Sequence, residues 1–126
     1  MTTIMVVDDL VEITRLVSAL LAMNGFETVA GRSGQDGMAL LETGARPDLI
    51  ISNLRMPAMD GLAFLYALKH DERWRSIPFV LMTANDTETV RREALAQGAA
   101  FVLGKPFHPC DIMNVIRRLG ITPSPN

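Results

Sequence analysis

The sequence predicts an α/β protein with a five-stranded parallel sheet, doubly wound by five helices. Three observations carry that expectation. Five short apolar runs occur, at residues 4–7, 26–30, 49–52, 79–82 and 101–103. Segments with apolar residues at helical spacing separate them, and this alternation belongs to parallel sheets with right-handed crossovers. The runs lack strict alternation, which predicts strands covered on both faces.

Each element has a local cause. The first run ends in Asp8-Asp9. Residues 10–23 place Ile13, Leu16, Val17 and Leu20 on one helical face, and Gly25 stops that helix. After the second run, Ser33 can cap a helix to about Glu42, with Met38 and Leu41 turned inward. The third run leads into a turn holding Pro57 and Asp60-Gly61. Asp60 can cap the helix that carries Leu62, Leu65 and Leu68. Trp74 is expected to cover the rim below the fourth strand, which is entered through Pro78. Asp86 or Thr87 opens a helix that ends at Gly98. Pro109 suits the first position of a last helix through Leu119. The domain is expected to span residues 1–120, with 121–126 a disordered tail or linker stump.

Composition narrows the functional classes. A chain of 126 residues fits one domain with a real core. A net charge of −2 argues against a nucleic-acid or anionic-membrane surface, since those need a basic footprint. The single Cys110 cannot form an internal disulfide, which suits a reducing compartment. No apolar stretch approaches the roughly 18 residues of a spanning helix. The start, Met1-Thr2-Thr3-Ile4, has no charged region of the signal-peptide kind. A cytoplasmic location is the expectation.

In doubly wound sheets the site lies at the carboxyl ends of the strands. The residues offered there are Asp8 and Asp9, Asn53, Thr83 and Lys105. Adjacent carboxylates repel, by roughly 4 kcal/mol at about 4 Å and an effective dielectric of 20, unless a cation joins them. Such oxygen-rich sites suit Mg²⁺ or Mn²⁺. A metal, a hydroxyl and an ammonium are what a transferring phosphoryl group needs around its oxygens. The nucleophile is missing. Asn53 ends an apolar strand where an aspartate would complete the set, and an amide oxygen cannot form an acyl phosphate.

Asp8-Asp9, the stretch from Pro47 through Asn53 to Pro57, Met59-Asp60-Gly61, Thr83-Ala84 and Lys105-Pro106-Phe107 stand in a telling order and spacing. Together they make the chain resemble, over about residues 3–119, a CheY-like receiver domain of the two-component response-regulator family. The resemblance implies the flavodoxin-like strand order 2-1-3-4-5. It implies Mg²⁺ held by Asp8, Asp9, the residue at 53 and the backbone carbonyl of Arg55. Thr83 would contact the phosphate, Lys105 would pair with it, and the Lys105-Pro106 bond would be cis. The phosphate would come from a sensor histidine kinase or phosphotransfer protein. The signal would pass to an output domain or partner protein, or to a homodimer through the fourth- and fifth-helix face. Arg91-Arg92 and Arg117-Arg118 fall on that face. The family has weak autocatalytic phosphotransfer, which Asn53 should abolish, so the chain is not expected to act as an enzyme.

Two departures from the family pattern stand out. Asn53 occupies the acceptor position. An engineered Asp-to-Asn replacement, a natural receiver that signals without phosphate by protein binding, and a different use of the fold are the three explanations. Retention of both acids, Thr83 and Lys105 favours the first. Val102 stands where the family usually carries a Tyr or Phe, and period-2 alternation turns the adjacent Phe101 to the other face. A small-ligand or enzymatic domain is the outside alternative. Asp8-Asp9 would oppose a flavin phosphate, and no P-loop motif occurs. Cys110 is expected to be buried, and His70 and His108 solvated.

Overall fold

The computed structural model describes residues 1–85 and 87–123. The chain runs β1 (Thr3–Val7), α1 (Val11–Met23), β2 (Glu27–Gly31), α2 (Gly34–Glu42), β3 (Leu49–Asn53), α3 (Gly61–Lys69), β4 (Phe79–Thr83), α4 (Glu88–Ala96), β5 (Phe101–Gly104) and α5 (Pro109–Arg118). All strands pair in parallel, in the order β2-β1-β3-β4-β5. β3 and β4 are buried along their whole length.

Alternation along each strand sorts side chains into two apolar layers. Met5, Val7, Ile50, Phe79, Leu81 and Val102 face Phe64, Leu65 and Leu68 of α3 on one side. Ile4, Val6, Ile51, Val80 and Met82 face Val17 and Leu21 of α1 and Ile112 and Ile116 of α5 on the other. Phe101 belongs to this second layer, opposite Val102.

Helix starts follow the capping chemistry. Ser33, Asp60 and Thr87 accept from the backbone N–H of Asp36, Ala63 and Val90. Of the two residues expected to open α4, Thr87 is the cap, and Asp86 lies outside the described residues. His108 caps α5 by accepting from the Cys110 N–H, and Asp111 closes the box by accepting from the His108 N–H at 2.8 Å. The histidine is exposed, as expected, but it is also built into the helix start.

Three expectations need correction. β2 is an edge strand with exposed and half-buried residues, not one covered on both faces, because only β1 pairs with it. Strands β3, β4 and β5 each extend one residue further, through Asn53, Thr83 and Gly104, because those residues still pair in the ladder. Cys110 is exposed, not buried: it sits in the first turn of α5, while Ile112, Val115 and Ile116 take the inward face. The Lys105-Pro106 bond is cis, in line with expectation. At the chain's end, Ile121 packs on the second apolar layer and the Thr122 carbonyl accepts from the Thr2 hydroxyl; residues 124–126 lie outside the described residues.

Candidate functional site

Parallel pairing in register brings the ends of β1, β3, β4 and β5 to one edge of the sheet. Asp8 directly follows β1, Asn53 and Thr83 end β3 and β4, and Lys105 directly follows β5. The fold thereby gathers the residues that the strand-end rule places in one crevice. Asn53, Thr83 and Lys105 line an open cleft of about 440 Å³, together with Asp9, Leu10, Arg55, Ala84 and Asn85. Asp8 lies behind this lining, bonded to Lys105.

The interior of this edge is unusually polar. Asp8 is 0% exposed, Thr83 1% and Asn53 8%. Each has a partner, as buried polar groups must. Lys105 Nζ donates to Asp8 Oδ2 at 3.0 Å, joining residues 97 apart in sequence. The other Asp8 oxygen accepts from the Leu10 N–H at 3.0 Å. Thr83 Oγ1 accepts from the Asn85 N–H at 2.9 Å, which fixes the first turn after β4. Asp9 is exposed, so its carboxylate stands at the mouth of the cleft.

Asn53 makes the contact least visible from sequence. Its Nδ2 donates to the backbone carbonyl of Arg55 at 2.8 Å. The bond closes across the start of the loop at residues 54–60. That loop is pinned at both ends, by Leu54 N–H to the Met82 carbonyl (2.8 Å) and Gly61 N–H to the Leu54 carbonyl (2.7 Å). Gly61 admits no side chain, because a Cβ there would lie 2.3 Å from the Asn53 carbonyl oxygen. Within the loop Ala58 holds φ at +65°, which costs a residue with a Cβ about 1 kcal/mol. Next to it, the Met59 carbonyl accepts from the Gly34 N–H at 3.1 Å, tying the loop to the start of α2.

A divalent cation fits the donors present in kind. The Asp8 and Asp9 carboxylates, the Asn53 amide oxygen and the Arg55 carbonyl are all hard oxygen ligands of the sort Mg²⁺ takes. They fit it with reduced charge. Among the described residues no three of His, Cys, Asp and Glu cluster closely enough to hold a metal, and the residue at position 53 offers a neutral amide.

Other candidates stay away from this edge. Arg92 pairs with Glu88 on α4, and Arg117 with Asn114 on α5. A cleft of about 480 Å³ between β5 and α5 holds none of the buried polar groups. His70 stacks on Tyr66 at the end of α3. No helix among the described residues is long and apolar enough to cross a membrane.

Known proteins share the sequence pattern and the fold. Residues 4–117 match the family model of the response regulator receiver domain. The phosphate regulon transcriptional regulatory protein PhoB of Pseudomonas aeruginosa is 31% identical over 122 residues, covering 94% of this chain and 53% of that protein. Response regulator PleD of Caulobacter vibrioides is 36% identical over 118 residues, covering 92% of this chain and 25% of that protein. The chain thus spans about half or less of these relatives. The solved chemotaxis protein CheY4 of Vibrio cholerae superposes with a TM-score of 0.88 at 30% identity, over 94% of this chain and 98% of that one. A signal receiver domain of a histidine kinase from Syntrophus aciditrophicus gives 0.87 at 29% identity, over 100% and 96%. With most of its length matched by the family model and its fold shared with these structures, the chain belongs to the response regulator receiver domain family of two-component signalling.

Proposed function

We propose that this domain is a phosphorelay receiver whose acceptor position is held by Asn53, so that it works as a binding and conformational module and does not take phosphate itself. The observation that carries the reading is the convergence of Asp8, Asp9, Asn53, Thr83 and Lys105 on one cleft from four strand ends. In this reading Asp8, Asp9, the Asn53 amide oxygen and the Arg55 carbonyl hold Mg²⁺, more weakly than three carboxylates would. A cation held there would supply charge neutralisation for phosphoryl oxygens at this edge. Lys105 balances Asp8 now and stands ready to pair with an anion. The Thr83 hydroxyl, tied to the Asn85 N–H, sits where it would sense one. Val102 is buried in the apolar layer that also holds Ala94 of α4, so an aromatic rotamer cannot carry the signal from that position; the Thr83 turn is the element left to do so.

The partners follow from the family: a sensor histidine kinase or phosphotransfer protein upstream, and an output domain or partner protein downstream. An exposed apolar strip supports protein binding. Leu16 and Met23 of α1 are 61% and 84% exposed and border a groove with Phe107 and Pro109. Arg92 of α4 and Arg117 and Arg118 of α5 are exposed on that face, which suits docking of a second copy. A cytoplasmic setting goes with these partners. The second reading, a receiver that never used phosphate, draws on the Asn53–Arg55 bond, which satisfies the pocket without metal.

The test is reversion. Asn53→Asp protein incubated with acetyl phosphate and Mg²⁺ should incorporate phosphate, and omission of Mg²⁺ should abolish the labelling. The parent should stay unlabelled. Labelling of the parent to the same extent would sink the proposal.

A further inference from the structure

We infer that Asn53 is a positioning residue that stands in for part of the cation's structural role, its amide N–H latching the loop at residues 54–60 when no metal is bound. The inference rests on the proposed reading of the cleft as a divalent-cation pocket and deepens it. In that reading the Arg55 carbonyl is a cation ligand, and an electropositive partner at that oxygen holds the loop closed. Here the partner is Nδ2 of Asn53, at 2.8 Å. An aspartate at 53 has the same size and no proton to donate, so it cannot make this bond when ionised. A loop built for a cation would, with aspartate, lose that tie whenever the metal leaves.

Independent features show that the loop needs holding. Ala58 is the one non-glycine residue with positive φ among the described residues. It lies between two tied points, the Arg55 carbonyl and the Met59 carbonyl that accepts from Gly34. Leu54, Met56 and Met59 pack inward, whereas Arg55, Pro57 and Ala58 are exposed, so apolar packing leaves the Arg55 and Ala58 positions without an anchor of their own. Loosening at Arg55 would therefore reach Gly61 on one side and Gly34 on the other, and through them the starts of α3 and α2. The latch has a cost for metal binding. A cation approaching the Arg55 carbonyl beside position 53 meets a donated N–H, and the amide must give up that bond first.

Two glycine amides report on the loop, Gly61 N–H bonded to the Leu54 carbonyl and Gly34 N–H bonded to the Met59 carbonyl. Their hydrogen exchange is measured by NMR in the parent, Asn53→Asp and Asn53→Ala, each with and without Mg²⁺. In the metal-free state both variants should exchange about three- to tenfold faster than the parent at these two positions, the range one net hydrogen bond supplies. Amides in the centre of β4 should be unchanged. Mg²⁺ should restore protection in Asn53→Asp, leave Asn53→Ala fast, and hardly alter the parent. Asn53→Ala separates the lost donor from added charge, and Asn53→Asp separates it from lost volume. Equal exchange in parent and Asn53→Ala would overturn the latch, whatever Mg²⁺ does. Failure of Mg²⁺ to restore Asn53→Asp would overturn the claim that the amide replaces a cation, and with it the metal reading of the cleft. Phosphate labelling of Asn53→Asp alongside an unchanged Asn53→Ala would leave the receiver reading standing while the latch falls.

Discussion

The two ends of the sheet solve opposite problems. At the amino end the interior is sealed mainly with apolar surface, and a half-buried charge nearby, the Lys69 ammonium, is satisfied by the Arg75 and Ile77 carbonyls. Trp74 is 3% exposed there, roofed by the Arg73 guanidinium 4.0 Å above its ring. Arg73 in turn pairs with Glu42 and Asp71 in solvent. At the carboxyl end, Asp8, Asn53 and Thr83 are carried inside and must find partners one by one. Burying polar groups is costly unless each bond is made, so stability alone does not call for these three inside, which accords with the proposed role of the cleft. The amino end shows what the same fold does when only stability is asked of it.

Substitutions at the two ends should therefore differ in kind. The largest stability loss is expected from Trp74→Ala, about 4 kcal/mol, because it opens a cavity under the amino-end seal. Urea unfolding measures it, and cleft chemistry should be untouched. Lys105→Met should cost about 3 kcal/mol by leaving the fully buried Asp8 carboxylate without its cation. Arg73→Met, which breaks more ion pairs but in solvent, should cost clearly less, since exposed pairs contribute little. If Arg73→Met proved the more damaging of the two, the contrast between the ends would be wrong.

A smaller effect is expected at position 53. Asn53→Asp adds a third carboxylate beside Asp8 and Asp9 and removes the donor to Arg55. Its metal-free melting temperature should fall, on the order of 5 °C for a loss of about 1–2 kcal/mol in a domain of this size. Mg²⁺ should raise it more than it raises the parent's, because binding to the folded state alone stabilises. A reverted protein that melts higher than the parent without metal would contradict this.

The smallest effect lies at Asp71. Side-chain and backbone hydrogen bonds with Arg73 hold its carboxyl below the usual carboxylate range. A carboxylate with a lowered folded pKa stabilises above its unfolded value of about 4, and that contribution is lost as pH falls through the folded value. The gap in melting temperature between parent and Asp71→Asn should thus be present at pH 6 and close as pH drops below about 4. A gap that widens in acid would refute the assignment.

The order of elements is legible in the sequence because apolar period and caps are local signals. Ser33, Asp60 and Thr87 announce their helices within three residues. Strand ends read one residue short where polar side chains, Asn53 and Thr83, stay in the ladder by backbone pairing alone. Cys110 defies its residue type, which favours burial, because its place in the first turn of α5 turns it to solvent. The members of the cleft are legible through motif order. The Asn53–Arg55 bond is not, because it depends on the turn the chain takes after β3. Nor is the Asp8–Lys105 pair, spanning 97 residues, because it depends on how the ends of β1 and β5 close around the cleft. No spacing rule encodes that closure.

The central claim is that this cleft is a phosphoryl pocket lacking one group. Its most direct test is to locate the phosphate. Asn53→Asp and parent would be treated with Mg²⁺ and acetyl phosphate, digested, and mapped by peptide-level mass spectrometry. That resolution matters because Asn24-Gly25 can deamidate and blur intact masses. The account predicts phosphate on the peptide holding position 53 in the reverted protein and none there in the parent. Phosphate on neither protein would contradict it, and would mean that the pocket itself no longer supports transfer.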